Sequence, residues 1–262
     1  MDPTPVRDVL TFAAGIGTGV MSGTFGVGGA VVSTPAIRLL GASAAVAVGT
    51  TLPSIFPGAV SGTIQYEPQR LVDWALVAVT VPAGMLAAVL GAEVAHVLPG
   101  AGHPLMILTA LLLFSSAVQL IRDRPDRVGG PRRPEPRGSR RIVTISGVGA
   151  VSGLLSGLLG IGGGVIMVPA FRALLQVPIK RAIATSLVCV GCFAIPGTIT
   201  HALNHDIDWR FAIWLTAGVI PGARIGARVA IRAADHRLRV AFGSFLAVVS
   251  VIYATGELYA LF

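Results

Sequence analysis

The sequence predicts an all-α polytopic membrane protein made of two inverted repeats, each with a glycine-broken pair of short helices and three long transmembrane helices. About 8–10 membrane segments are expected in all. Only 12% of the residues are charged, against about 25% in soluble domains. Several apolar stretches approach the roughly 20 residues that a helix needs to cross a bilayer. The second half of the chain also repeats the first, and no ten-residue alternating pattern suggests a barrel.

The long spans follow apolar runs in which small polar residues do not interrupt the hydrophobic stretch as charges would. They are predicted at 43–64, 72–95, 104–121, 183–203, 209–231 and 238–256. The first 20 residues contain both acidic and basic side chains and lead directly into the first copy of the repeat. They are therefore expected to be part of the structure and not a signal peptide.

The internal repeat is strongest around two glycine clusters. "GTFGVGGAVVSTPAIR" at 23–38 matches "GLLGIGGGVIMVPAFR" at 157–172, an offset of 134 residues. After one inserted residue, "TTL" at 50–52 matches "TSL" at 185–187, and an Asp-Trp pair recurs further on. Shared glycine, proline, arginine and Asp-Trp positions are not what two unrelated apolar sequences would have in common.

The repeat divides the chain into a first transmembrane repeat at 1–121, a basic linker at 122–141 and a second, inverted repeat at 142–262. Eight arginines fall in the linker, and they account for much of the net charge of +8. The positive-inside rule places such a loop in the cytoplasm, next to anionic headgroups. The basic balance therefore indicates a membrane surface and not a nucleic acid.

Equivalent loops of the two halves carry different charge. The loop at 96–103 has no lysine or arginine, whereas its counterpart at 228–239 has four arginines. Because cytoplasmic loops are enriched in these residues, equivalent loops are expected on opposite sides of the membrane. This predicts a multi-pass protein of the cell membrane with both termini outside.

Each glycine cluster is interpreted as a break in a membrane helix. The segment before the first cluster, 9–22, is about 21 Å long as a helix, which is too short to cross comfortably. A break leaves N–H groups unpaired, and the next helix begins with the positive end of its dipole. Two such ends are expected to form an anion site. The alternative is that the glycines serve close helix packing. No Lys-Ser/Thr follows them, which argues against a nucleotide-binding loop.

These motifs resemble the TauE/SafE family of sulfite and organosulfonate exporters. The resemblance covers both halves and depends on the doubled glycine motif with its proline, Pro35 or Pro169, and on the Thr/Ser-Leu and Gly-Thr elements that follow. It implies a secondary transporter, not an enzyme, that exports sulfite or an organosulfonate such as sulfoacetate by alternating access. It implies no cofactor. The coupling ion and the oligomeric state are left open.

The predicted substrate site combines the glycines of the breaks with four hydroxyl residues and one arginine. The hydroxyls could donate to a sulfonate oxygen, or they could bond a carbonyl of their own or a neighbouring helix. The arginine lies within a long span, where it either serves the anion or reaches towards the headgroups. The expected site residues are Gly26, Gly28, Gly29, Thr50, Thr51, Gly160, Gly162, Gly163, Thr185, Ser186 and Arg224.

Two further groups have open interpretations. Arg38 and Arg172 end the short segments after the breaks, where they could attract anions or simply extend to the interface. Cys189 and Cys192 lie one turn apart, which suggests a membrane thiol oxidoreductase as the alternative function, or small packing residues within an apolar helix. No metal site is expected, since no carboxylate cluster accompanies the histidines.

Overall fold

The computed structural model describes residues 5–42, 44–97, 102–122, 138–159 and 162–261. In this part of the chain the regular structure consists of ten α-helices and one 3-10 turn, and no strand is present. The all-helical prediction is confirmed. The 3-10 turn, Glu67–Gln69, lies between the third and fourth α-helices.

The two halves contain the same series of helices. In the first half these are α1 (Pro5–Phe25), α2 (Ala30–Leu39), α3 (Ala44–Tyr66), α4 (Trp74–Val97) and α5 (Gly102–Arg122). In the second half they are α6 (Ser139–Leu159), α7 (Gly164–Leu175), α8 (Ile179–Leu203), α9 (Trp209–Arg232) and α10 (Asp235–Leu261). The helices α6 to α9 begin 134 or 135 residues after their counterparts, the same offsets as in the sequence repeat.

The prediction of a short first segment is wrong. Helix α1 has 21 residues, about 31 Å at 1.5 Å per residue. It begins before Arg7 and Asp8, four residues earlier than the predicted segment. The Asp8 carboxylate lies 2.6 Å from the Arg210 guanidinium of α9, and Arg7 lies over the Phe211 ring at 4.2 Å. Of the described α-helices, only α2 and α7, with 10 and 12 residues, are short.

The predicted linker between the halves is flanked by α5 and α6. Helix α5 ends at Arg122, and α6, also 21 residues long, begins at Ser139, three residues before the expected start of the second repeat. Residues 123–137 lie outside the described part of the chain. The division of the chain into two repeats and a linker stays a prediction.

The outer surface of the bundle is suited to lipid. Three of the described helices are apolar and long enough to cross a membrane: Trp74–Val94, Ser139–Leu158 and Ile179–Leu203. Large apolar side chains such as Leu86, Val143 and Ile213 are mostly exposed on the outside of the bundle. In water such a surface would be unfavourable, whereas hydrocarbon matches it.

Helix pairs that join the two halves pack through small residues. Along α1, a Cβ at Gly15, Gly19 or Gly23 would run into the backbone of α9, with Gly15 next to Gly218 and Gly19 next to Gly222. The two helices therefore run parallel with their backbones in contact, as small residues permit in membranes. The α4–α6 pair repeats this arrangement through Gly149, Gly153 and Gly157 of α6.

The equivalent helices α3 and α8 cross in opposite directions. The contacts pair Gly62 with Leu187, Ala59 with Gly191, and Leu52 with Gly197, so residue numbers fall on one helix as they rise on the other. The equivalent helices α5 and α10 are also antiparallel, with the Ser250 hydroxyl donating to the Ala110 carbonyl at 2.8 Å and Gly243 next to Ile121. Helix α3 therefore ends where α8 begins.

Candidate anion site at the two helix breaks

Both glycine clusters break the helical path with left-handed backbone conformations. The first break, Gly26–Gly29, has positive φ at Gly26, Gly28 and Gly29 (69°, 84° and 80°). In the second break, Gly162 and Gly163 have φ of 88° and 62°. L-residues with a side chain rarely adopt these angles, whereas glycine does so readily. Gly29 and Gly163 directly precede the short helices α2 and α7. Gly160 lies outside the described residues.

The structure brings the two breaks together. A Cβ placed on Gly162 would lie 3.0 Å from the Val27 carbonyl oxygen and 3.8 Å from the Gly28 Cα atom. The backbones of residues from opposite halves are thus in close contact. Gly28 itself packs against Ile55 and Val190.

The meeting point lies halfway along the central helices. Ile55 is the twelfth of 23 residues in α3, and Val190 is the twelfth of 25 in α8. These two residues are equivalent in the repeat, since 190 − 55 = 135. The breaks therefore lie where α3 and α8 cross, at the middle of the bundle.

The first break leaves several backbone donors without a protein acceptor. The N–H groups of Val32 and Ser33 donate to the Gly29 carbonyl at 2.9 and 3.0 Å. Within the described residues, no acceptor pairs with the N–H groups of Gly28, Gly29, Ala30 and Val31. In the second break the Gly163 carbonyl accepts from Ile166 and Met167 in the same way. Buried N–H groups of this kind are costly in a membrane unless a ligand pairs with them.

The four predicted hydroxyl residues are all fully buried, but most are engaged elsewhere. The Thr50 oxygen accepts from the Asp208 N–H at 3.0 Å, and the equivalent Thr185 accepts from the Asp73 N–H at 3.0 Å. Thr51 donates to the Val48 carbonyl at 2.9 Å. Thr50, Thr51 and Thr185 therefore have structural hydrogen bonds that the sequence did not reveal.

Ser186 lies directly at the first break. Its hydroxyl donates to the Gly26 carbonyl at 2.8 Å, and its oxygen would be 3.0 Å from a Cβ on Gly164. It therefore connects α8 to both broken segments. Among the predicted hydroxyl residues, it is the one whose described contacts include the glycine region.

Two residues that sequence reasoning missed lie beside the short helices. The hydroxyl oxygens of Thr18 and Ser152 are buried and have no hydrogen-bond partner. Thr18 contacts Gly29, and Ser152 contacts Gly163, the residues from which α2 and α7 start. The two positions are equivalent, since 152 − 18 = 134. A search for hydroxyl residues at matching repeat positions could have found them.

The predicted arginines lie apart from these glycines. Arg38 is exposed, and Arg172 is buried with a guanidinium nitrogen 3.5 Å from the Val177 carbonyl. Arg224 is exposed on α9, and its Nε–H donates to the Ser61 hydroxyl oxygen of α3 at 3.1 Å. Their roles towards an anion stay predictions.

Both cysteines and His201 lie on helix α8. Cys189 is buried and Cys192 half-buried, and both are free thiols on α8. His201 Nδ1 lies 3.3 Å from the Asp206 carboxylate. Among the described residues, no group of three His, Cys, Asp or Glu side chains could hold a metal ion.

Comparison with known proteins decides the family. The profile described as "Sulfite exporter TauE/SafE" matches residues 11–253. The chain belongs to the TauE/SafE family. The resemblance predicted from the doubled glycine motif is thereby confirmed, and the match extends over both halves.

TauE/SafE relatives share nearly the whole length of the chain. A "Probable membrane transporter protein" of Xylella fastidiosa is 28% identical over 248 residues, which cover 93% of both chains. The "Probable membrane transporter protein YunE" of Bacillus subtilis is 27% identical, covering 84% of this chain and 88% of the relative. A counterpart from Methanocaldococcus jannaschii is 23% identical, covering 92% and 93%. No solved structure gives a significant match.

The chain is therefore a multi-pass membrane transporter of the TauE/SafE family. Its helices supply the apolar surface that a membrane requires.

Proposed function

We propose that the protein exports small sulfur-containing anions, sulfite or a short organosulfonate such as sulfoacetate, through a binding site at the two helix breaks. The observation that carries this proposal is the contact between Gly28 and Gly162, at the middle of the bundle, beside unpaired N–H groups. N–H groups at the start of a short helix favour an anion, because both their direction and the helix dipole attract negative charge.

The proposed site is built from backbone and hydroxyl donors. Besides the N–H groups of the first break, Thr18 and Ser152 each offer one O–H without a partner, and Ser186 lies at the Gly26 carbonyl. A sulfite or sulfonate group has several acceptor oxygens arranged around one sulfur atom, which suits several donors at short spacing. Arg224 is not part of this central site in our proposal, because its described contact is with Ser61 on the exposed side of α9.

We propose further that the two halves are related by a two-fold axis in the membrane plane. The antiparallel crossing of the equivalent helices α3 and α8 supports this relation, and so does the antiparallel α5–α10 pair. A two-fold axis along the membrane normal would leave equivalent helices parallel. Repeats inverted in this way are common among secondary transporters, with the substrate site at the midplane.

The distribution of cations supports an orientation with both termini outside. We call the end of the bundle where α3 ends and α8 begins the basic end. The helix directions place these residues there: Arg70, Arg140, Arg141, Arg172, Lys180, Arg181, Arg228, Arg232, Arg237 and Arg239. The opposite end has Arg7, Arg38 and Arg210. By the positive-inside rule, the basic end and the adjoining linker face the cytoplasm.

Alternating access is proposed to occur around the α3–α8 crossing. The pairs α1–α9 and α4–α6 each combine one helix from either half and are packed backbone to backbone. Each pair is therefore expected to move as a unit, which would expose the central site first to one side and then to the other. The coupling gradient sets the direction of net transport.

The test is binding by calorimetry to the purified full-length protein. The panel contains sulfite, sulfate, thiosulfate, sulfoacetate, chloride and a neutral sulfone. We expect a sulfur oxyanion to bind best and the sulfone not at all. Thr18→Val and Ser152→Ala should each weaken the preferred anion about tenfold, the value of a hydrogen bond to a charged group. Equal affinity for the sulfone would overturn the electrostatic basis of the site.

Control variants separate the site from general packing. The Thr80 hydroxyl is also buried and without a partner, but it lies against Gly149 between α4 and α6. Thr80→Val should leave anion affinity unchanged. Since the Thr18 hydroxyl has no protein partner to lose, Thr18→Val should keep the wild-type melting temperature. Loss of affinity in Thr80→Val equal to that in Thr18→Val would contradict the assignment of the hydroxyls at the breaks.

A further inference from the structure

Two arginines lie one above the other in a groove between α3 and α9 near the basic end. The Nε–H of Arg224 donates to the Ser61 hydroxyl oxygen at 3.1 Å, and the Nε–H of Arg228 donates to the Gln65 side-chain oxygen at 3.0 Å. The same geometry thus recurs one helical turn apart. Ser61 is itself fixed, because its hydroxyl donates to the Ile220 carbonyl at 2.7 Å.

This anchoring leaves the outer faces of both guanidinium groups open. Only the Nε–H of each arginine has a described partner, so the terminal N–H groups of Arg224 and Arg228 have none within the described part of the chain. Both side chains are exposed. Arg224 is eight residues before the end of α9, about 12 Å from it along the helix axis. An exposed cation at that depth in a lipid-facing groove needs an anionic partner.

The walls of the groove are apolar. On α3, Ile64 is exposed next to Ser61 and Gln65, and Pro57, one turn before Ser61 towards the middle of the bundle, is half-buried on the same face. On α9, Ile225 and Val229 are exposed beside the arginines. A ligand that fits this surface has an anionic group at the basic end and hydrocarbon extending from it towards the bundle centre. A small free anion would leave these walls unused.

The equivalent groove of the other half has none of this charge. Val89 and Glu93 on α4 replace Arg224 and Arg228, and Pro196 on α8 replaces Ser61. The repeat therefore retains the helices but not the cations. Of these two equivalent grooves, the α3–α9 groove is therefore the one whose charge complements an anionic lipid, and it lies at the basic end.

We propose that the α3–α9 groove binds an anionic phospholipid, with its phosphate on the terminal N–H groups of Arg224 and Arg228 and its acyl chains along Pro57 and Ile225. Guanidinium groups bind phosphate through paired N–H donors. Basic pockets between membrane helices select anionic headgroups in this way. This proposal does not depend on the transported substrate.

The test measures lipid binding by native mass spectrometry of the full-length protein in detergent, with added phosphatidylglycerol or phosphatidylcholine. We expect preferential binding of phosphatidylglycerol, and a loss of about 30-fold in its affinity for the Arg224→Gln/Arg228→Gln variant. The matched control is Arg140→Gln/Arg141→Gln, two exposed arginines at the same end, which should retain the preference. Melting temperatures measured in phosphatidylcholine should be equal for the three proteins.

Other outcomes would overturn the proposal. Equal binding of the two lipids by the wild type would exclude headgroup selection. An equal loss in the control variant would mean that the basic end acts as a diffuse charge. Competition by inorganic phosphate at millimolar concentration as effective as that by phosphatidylglycerol would indicate a free-anion site. If the Arg224→Gln/Arg228→Gln variant loses sulfite binding but retains the lipid preference, the two arginines belong to the substrate route and not to a lipid site.

Discussion

At Gly28 the backbone conformation and the packing both require a residue without a side chain. Its φ of 84° is left-handed, and a Cβ there would collide with the Val190 side chain. The close-packing interpretation of the glycines and the ligand-binding one are therefore compatible at this position. Because a substitution here disturbs folding, loss of transport alone would say nothing about ligand contact. The hydroxyls of Thr18 and Ser152 are better probes of the anion.

Gly28→Ala should lower the free energy of unfolding by at least about 1–2 kcal/mol, the cost of placing an L-residue in the left-handed region. The clash with Val190 adds to this, so Gly28→Ala/Val190→Ala should recover part of the loss and not all of it. Thermal unfolding in detergent measures both. Gly17→Ala is the control, because Gly17 is exposed on α1 with nothing within 4 Å of its Cβ position. Gly28→Ala as stable as Gly17→Ala would contradict the described break.

At the scale of elements, each half holds the start of a long helix in the other. Thr50 of α3 accepts from the Asp208 N–H, and the Asp208 carboxylate in turn caps α9 by accepting from the N–H groups of Arg210 and Phe211. In the equivalent arrangement, Thr185 of α8 accepts from the Asp73 N–H. These threonines therefore fix where α4 and α9 begin, a role that competes with binding a ligand.

Thr50→Val and Thr185→Val should each destabilise the protein by about 1–3 kcal/mol, because each leaves a partly buried N–H without an acceptor. Anion affinity should stay unchanged, the reverse of the result expected for Thr18→Val. Thr50→Ser should restore the stability, since serine retains the acceptor oxygen. The measurements are thermal unfolding and calorimetric titration of the same samples. If Thr50→Val instead binds the anion more weakly and keeps the wild-type stability, Thr50 is a substrate-binding residue.

At the scale of the whole molecule, the two halves are interlocked and not merely adjacent. Helix α1 packs on α9 and α4 packs on α6, so each closely packed pair contains a helix from either half. The central helices α3 and α8 cross antiparallel, with the two breaks at the crossing. The two breaks therefore lie where the two halves of the chain meet.

The orientation can be tested with a pair of equivalent surface residues. Gln69 and Asn204 are both exposed and are 135 residues apart, as 204 − 69 shows. In a Cys189→Ala/Cys192→Ala background, Asn204→Cys should react with a membrane-impermeant maleimide in intact cells. Gln69→Cys should react only after permeabilisation. Labelling of both from the same side would contradict an axis in the membrane plane and favour parallel halves.

The amino-acid sequence by itself determined the helices, their repeat and the position of the breaks. Apolar runs of sufficient length must be helical in a membrane, because helices satisfy their own backbone hydrogen bonds. Glycine clusters interrupt such runs for a local reason, the left-handed angles at Gly28 and Gly29. These features depend on residues close together in the chain, so a pattern in one sequence is enough to predict them.

Only the tertiary structure decided how long α1 is, which hydroxyls are engaged and where the arginines lie. Helix α1 extends past Asp8 because Arg210, some 200 residues away, neutralises it. Thr50 is occupied by Asp208, while Thr18 is left without a partner. Arg224 is directed by Ser61 into an outer groove and not to the breaks. Each of these depends on a contact between distant parts of the chain, and hydrogen bonding and charge pairing at such contacts are set by the fold as a whole.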